Sequence, residues 1–268
     1  MKPSEAETSR PVVLTIAGSD PCSGAGLQAD LKVATHLGCY ATSVVTALTA
    51  QSTQGVAEVW PCTAQQVAEQ GRVLLDDITP RAVKVGMLGS EEVAEAVLRI
   101  VESLPGADLV VDTILASTSG MPLYDDSVES GAIGRLLSRA RVITPNLPEA
   151  QKLLGKADVA AEEMSEALSR KFGGTSVYLK GGHGDGTVLT DLFYNSETGA
   201  LHRLDAPRVD TRNTHGTGCC LSTALACFLA MSNELDEAAR LAHDFTHQSL
   251  ELGKDFRLGL GHGPTFCQ

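Results

Sequence analysis

Short apolar runs, each closed by glycine or a polar residue, alternate along the chain with longer amphipathic stretches. Val12 to Ala17, Tyr40 to Leu48, Ala82 to Val85, Leu109 to Val111, Arg141 to Thr144 and Ser176 to Leu179 read as buried strands. Between them, Leu27 to Leu37, Thr63 to about Asp76, a segment opening at Ser90, residues 125–140, a segment opening at Asn146, and residues 160–172 read as helices. Gly38 closes the first helix, and Ser90 caps a later one whose first turn carries Glu91 and Glu92. Val56 to Trp60 reads as a short edge strand. Val188 to Tyr194 and Leu201 to Leu204 flank the turn Ser196-Glu197-Thr198-Gly199 and predict a β-hairpin. Leu204 to Val209 then leads into a small-residue turn, followed by helices over 219–231 and Glu234 to Glu251. This alternation predicts an α/β fold: a mainly parallel central sheet, helices on both faces and a small antiparallel addition. Residues 1–10 are expected to form a loose tail and residues 11–268 a single domain.

Composition narrows the function. The chain has 268 residues, 43% of them apolar, enough for a sizeable core. Its 33 acids against 21 bases give a net charge of −12, which argues against nucleic-acid and anionic-membrane binding. No stretch approaches the roughly 20 apolar residues of a membrane span. No signal peptide is read at the start. The seven cysteines form no C-x-x-C pair, which points to reduced thiols in a cytoplasm.

The candidate chemistry centres on residues 210–222, where a strand-like approach meets a glycine turn and then a helix. Unpaired amides and the positive dipole end favour an anion there. Gly216 and Gly218 let it approach, and Cys219 sits where a thiol loses its proton more easily. A second glycine loop, Gly18 to Gly26, follows the first strand but lacks the Walker ending and the dinucleotide spacing, so it is assigned to a substrate. Asp20 lies at that strand's end, or caps the helix. Gln51 could pair with a heterocycle edge or be an ordinary loop amide. Met87 could flank a flat ring or pack in the core. Asp112 ends a strand, a candidate for a metal–phosphate site. Asn146 and Glu149 could steer hydrated magnesium or simply form a capping box. Lys180 suits a polyphosphate; His183 is not read as a base.

These stretches resemble the hydroxymethylpyrimidine/phosphomethylpyrimidine kinases of thiamine synthesis, within the ribokinase-like superfamily. The resemblance runs from about Val12 to about Pro264. It rests on Thr15-Ile16-Ala17-Gly18-Ser19-Asp20-Pro21, Gly24-Ala25-Gly26-Leu27-Gln28-Ala29-Asp30, Thr46-Ala47-Leu48-Thr49-Ala50-Gln51, Lys84-Val85-Gly86-Met87-Leu88, Thr144-Pro145-Asn146-Leu147-Pro148-Glu149-Ala150, Lys180-Gly181-Gly182-His183 and Asn213-Thr214-His215-Gly216-Thr217-Gly218-Cys219. It implies a three-layer fold and ATP-dependent phosphorylation of a pyrimidine hydroxymethyl group, then of its monophosphate. Cys219 would be the base, and the amides of Gly216, Thr217 and Gly218 the anion hole. Gln51 would bond the aminopyrimidine, with Gly18, Ala25, Asp30 and Met87 around it and Asp20 close by. Lys180 and Thr214 would hold ATP phosphates, with Asp112 nearby, and Asn146 and Glu149 would organise Mg²⁺ through water. A homodimer is implied as well. Residues 114–118 depart from the family pattern, so no phosphate contact is assigned to them. Two other readings stand beside this one: a pyridoxal or pyridoxine kinase on the same frame, and a ligand-binding sensor without turnover. Gln51 and Met87 favour the pyrimidine.

Overall fold

The computed structural model describes residues 10–114, 131–157, 159–182 and 186–265. In chain order the first half comprises β1 (Val12–Ser19), α1 (Gly26–His36), β2 (Tyr40–Ser52), β3 (Gly55–Pro61), α2 (Ala64–Leu75), β4 (Ala82–Val85), α3 (Glu91–Glu102) and β5 (Asp108–Val111). The second half comprises α4 (Ala132–Arg139), β6 (Val142–Ile143), α5 (Leu147–Leu154), α6 (Ala161–Lys171), β7 (Ser176–Leu179), β8 (Val188–Asn195), β9 (Ala200–Pro207), α7 (Thr217–Ala230) and α8 (Leu235–Gly253). The strands form one sheet in the order β3-β2-β1-β4-β5-β6-β7-β8-β9. Six central strands run parallel, from β2 across to β7. β3 is antiparallel at one edge, and β8 and β9 are antiparallel at the other.

Side chains alternate across the sheet with period two, and this sorts them into two cores. Leu14, Ile16, Val83, Val85, Leu109 and Val111 face a layer containing α2 through α6. Val13, Ala82, Val110, Val142 and Tyr178 face α1, α7 and α8. α7 is apolar nearly all round and buried along its length, as a helix between a sheet and another helix must be.

Local signals set several boundaries. Thr63 and Gln66 form a capping box at α2, and the Ser90 hydroxyl accepts from the Val93 amide at α3. Two expectations change. The strand expected to stop at Leu48 continues to Ser52 and pairs with β3, Gln51 opposite Val56, so Gln51 is a strand residue rather than a loop amide. A register shift between Ala50 and Gln51 marks a bulge there, and bulges re-aim side chains. The helix expected over 125–140 is described from Ala132 onward, its earlier part lying outside the described residues. No described helix is long and apolar enough to cross a membrane.

Candidate active site

The chain leaves β1 for β2 on one side and later returns to β4 on the other. At such a switch point the loops after neighbouring strands diverge and leave a crevice at the strands' C-terminal ends. A cavity of about 990 Å³ opens there. Gln51, Lys180 and Cys219 all line it, though they come from β2, the end of β7 and the start of α7.

The loop after β1 folds around Asp20. Its Oδ1 accepts from the Cys22 amide at 2.9 Å, and its Oδ2 accepts from the amides of Gly24 at 3.1 Å and Ala25 at 2.9 Å. Asp20 therefore shapes the loop rather than capping α1, which has no side-chain cap. Oδ2 also lies 2.9 Å from His215 Nε2, and that nitrogen lies 3.1 Å from the Gln51 amide nitrogen. Burial alone would raise the Asp20 carboxyl, yet hydrogen bonds from His215, Cys22 and Ala25 hold it well below the usual carboxylate range. Asp20, Cys22 and His215 each bring one possible metal-ligand atom within 4.8 Å of the others. Oδ2 already meets the Gly24, Ala25, Cys22 and His215 donors, so the cluster is a hydrogen-bonded hub. Gly18 and Met87 meet on one wall: a Cβ on Gly18 would come 2.5 Å from the Met87 methyl carbon. Ala25 lines the cavity beside them.

The glycine turn lies opposite. Gly216 has φ +83° and packs on the backbone of Gly24, so the two glycine loops touch. The Thr217 amide is turned back to the Thr214 carbonyl at 3.3 Å. Among the described residues, the amides of Gly216, Gly218 and Cys219 have no acceptor, so of the three expected amides Gly216 and Gly218 are free, Thr217 is not, and Cys219 adds a third free donor. Cys219 is buried, and the Gly26 amide favours negative charge on its sulfur. The expected easy loss of its proton does not hold in this structure. Burial pushes the thiol up to about 11, because it outweighs the pull of the Lys84 charge and the Gly26 amide. Cys220 points away, into the core formed with α8.

Lys180 and the acids form the third wall. Lys180 Nζ donates to Asp112 Oδ1 at 3.0 Å and lies 3.8 Å from Glu149 Oε2. A Cβ on Gly218 would come 3.3 Å from Lys180 Nζ and 3.5 Å from Asp112 Oδ2, so the turn abuts both charges. Burial lowers the Lys180 affinity for its proton, but Asp112 and Glu149 more than restore it. Burial opposes the charge on Asp112 too, yet Lys180, Lys84 and the Thr144 hydroxyl keep it a carboxylate. Glu149 is raised by burial against the opposing charge of Lys180. Asn146 and Glu149 do form a capping box. Asn146 Oδ1 accepts from the Glu149 amide, and Glu149 Oε2 accepts from the Asn146 amide and the Thr113 hydroxyl. Thr214 lines the cavity near the turn. His183 and residues 115–118 lie outside the described residues.

Asp30 is placed elsewhere than expected. It is fully buried on α1 and bonds Lys84 Nζ through both oxygens, at 2.8 and 2.9 Å, with hydroxyls of Thr15 and Thr223 also donating. It belongs to the floor beneath the cavity, not its wall, because its period on α1 turns it to the sheet. Two site residues carried no assigned role in the sequence: Lys84 and His215. Lys84 looked like part of a strand, and His215 like part of a glycine turn. An ionisable residue inside an apolar strand and a histidine beside Gly216 were the available signals.

A parallel-sheet switch point carrying a glycine turn at a helix start, a paired lysine and two acids defines a phosphotransferase for small alcohols. Comparison with known proteins agrees. Residues 20–266 match the family described as phosphomethylpyrimidine kinase. The chain is 41% identical over 258 residues to hydroxymethylpyrimidine/phosphomethylpyrimidine kinase of Rhizobium meliloti, covering 94% of this chain and 95% of that one. It matches a crystal structure of phosphomethylpyrimidine kinase from Clostridium difficile at 32% identity and TM-score 0.77, over 90% of this chain and 100% of the other. It also matches the ADP complex of Bacillus subtilis pyridoxal kinase at 28% identity and TM-score 0.84, over 97% and 98%. The chain belongs to the phosphomethylpyrimidine kinase family.

Proposed function

We propose that the protein transfers the γ-phosphoryl group of ATP to the hydroxymethyl group of 4-amino-5-hydroxymethyl-2-methylpyrimidine, and then phosphorylates the monophosphate, in thiamine biosynthesis. The observation that carries this reading is that one cavity joins an amide for a heterocycle, a cation for phosphates and a sulfur at a helix start, in Gln51, Lys180 and Cys219. The alcohol sits between Gln51 and Met87 with its oxygen toward Cys219. Lys180 and Thr214 hold the ATP phosphates. The free amides of Gly216, Gly218 and Cys219 receive the charge of the migrating phosphoryl group, and such preorganised donors lower the barrier because they need not reorient. The Cys219 thiolate takes the alcohol proton as the oxygen attacks in line, which returns it to the thiol.

Mg²⁺ fits the oxygen donors present but not every one of them. Asn146 Oδ1 is spent on the α5 cap, whereas Glu149 Oε1 has no partner among the described residues and could hold a metal-bound water. When bound, the ion neutralises phosphate charge. In this reading the protein works in the cytoplasm as a homodimer; every described cysteine is a free thiol, which suits a reducing compartment.

The test is ATP-dependent phosphorylation of the pyrimidine alcohol, then of its monophosphate, with pyridoxal alongside. The expected result is a higher kcat/KM for the pyrimidine. A higher value for pyridoxal would favour the second reading, a pyridoxal kinase, which the overlap with the Bacillus enzyme keeps in play. No ATP consumption with any heterocyclic alcohol would leave a binding protein.

A further inference from the structure

His215 Nε2 faces two groups at hydrogen-bond distance, Asp20 Oδ2 at 2.9 Å and the Gln51 side-chain amide at 3.1 Å. Asp20 is a carboxylate in this loop, and a carboxylate only accepts. Nε2 must therefore carry hydrogen. A ring nitrogen that donates has no lone pair to receive an amide N–H. With the Gln51 nitrogen turned toward His215, two donors face each other. The oxygen and nitrogen of a carboxamide occupy the same shape, and their assignment follows the hydrogen-bond network. Exchanging them lets Gln51 Oε1 share the single Nε2–H with Asp20 Oδ2 as a three-centre bond and sets the amide nitrogen beside Thr49 Oγ1, 3.2 Å away. Thr49 gives its own hydrogen to the Ser19 carbonyl at 2.9 Å, so its oxygen is free to accept. Every donor then meets an acceptor, and one amide hydrogen of Gln51 remains for the cavity.

We propose that His215, held by Asp20, is a positioning residue that draws in the Gln51 carbonyl and so presents the Gln51 N–H to a ring-nitrogen acceptor of the alcohol. The proposal rests on the kinase reading above for its substrate. Its geometry also explains why a glycine stands at position 24: a Cβ there would overlap the His215 ring. His215 is mostly buried, with 11% of its side chain exposed, so water competes little for the contact. Selectivity follows: the site favours rings with an unprotonated nitrogen beside the hydroxymethyl-bearing face and disfavours carbocyclic analogues.

Two measurements test it. In the full-length protein, ¹⁵N-histidine NMR should show a protonated His215 Nε2, assigned by its loss in His215→Gln; an unprotonated Nε2 would overturn the proposal. In steady-state assays, His215→Leu should raise KM for the pyrimidine alcohol by about 3- to 10-fold, the weight of one hydrogen bond between uncharged groups, while KM for ATP stays put. His215→Gln, whose amide nitrogen can stand where Nε2 stands, should recover most of the loss. An unchanged alcohol KM in His215→Leu, or equal rises for both substrates that His215→Gln does not reverse, would reject it. If the unaltered protein turns over no pyrimidine alcohol, the functional reading fails, and the NMR result still decides the relay.

Discussion

Replacing Lys84 by methionine removes the cation from a pair in which neither side chain is exposed to solvent. Asp30 then keeps only the hydroxyls of Thr15 and Thr223 as donors, for a carboxylate that had accepted from Lys84 through both oxygens. Methionine nearly matches lysine in length, so the cavity term is small and the loss is electrostatic. Leaving one buried charge without its partner costs about 3–5 kcal/mol. At about 2–4 °C per kcal/mol for a domain near this size, the melting temperature falls by about 6–20 °C. Thermal unfolding followed by circular dichroism reads this directly. Lys84→Met combined with Asp30→Asn should regain at least half of the loss, since no charge stays buried, the amide oxygen accepts from one threonine and the amide nitrogen donates to the hydroxyl oxygen of the other. The remaining activity of Lys84→Met should also peak at higher pH, because the Lys84 charge is the largest pull lowering the Cys219 thiol. A single variant that loses less than about 1 kcal/mol, or a double variant that loses the sum of both singles, would refute the pairing argument.

Two further outcomes follow from the turn. Cys219→Ala should keep ATP affinity by calorimetry and lose about 10²- to 10⁴-fold in kcat, the usual share of a general base. On the proposed mechanism the base is the thiolate of a group lying near 11, so kcat/KM should climb with a slope near one from neutrality toward that value, and a flat profile would remove Cys219 from the role. Gly216→Ala puts a side chain at φ +83° and against the Gly24 carbonyl. It should lose about 1–2 kcal/mol of stability from the backbone conformation alone, and about 100-fold in kcat/KM as the two loops are pushed apart; thermal melting and initial rates report each.

Much of this molecule is written locally. The alternation of apolar runs with amphipathic stretches determines the order of strands and helices, because each residue's face is set by its own period. Thr63, Ser90 and Asn146 open helices because their side chains reach amides three residues on. The glycine turn before α7 is equally legible, since only missing side chains allow that backbone. Tertiary structure decided the rest. Asp20 and His215 stand 195 residues apart, and Thr223 and Asp30 stand 193 apart, so no local pattern could pair them. Gln51 became a strand residue only when β3 folded back beside it. The ionisation of Cys219 was decided the same way: helix position alone favours the thiolate, but burial against the sheet reverses the sign. Sequence specified which chemical groups the site has, whereas packing specified which are charged and which way they point, because charge and direction depend on neighbours brought in from across the chain.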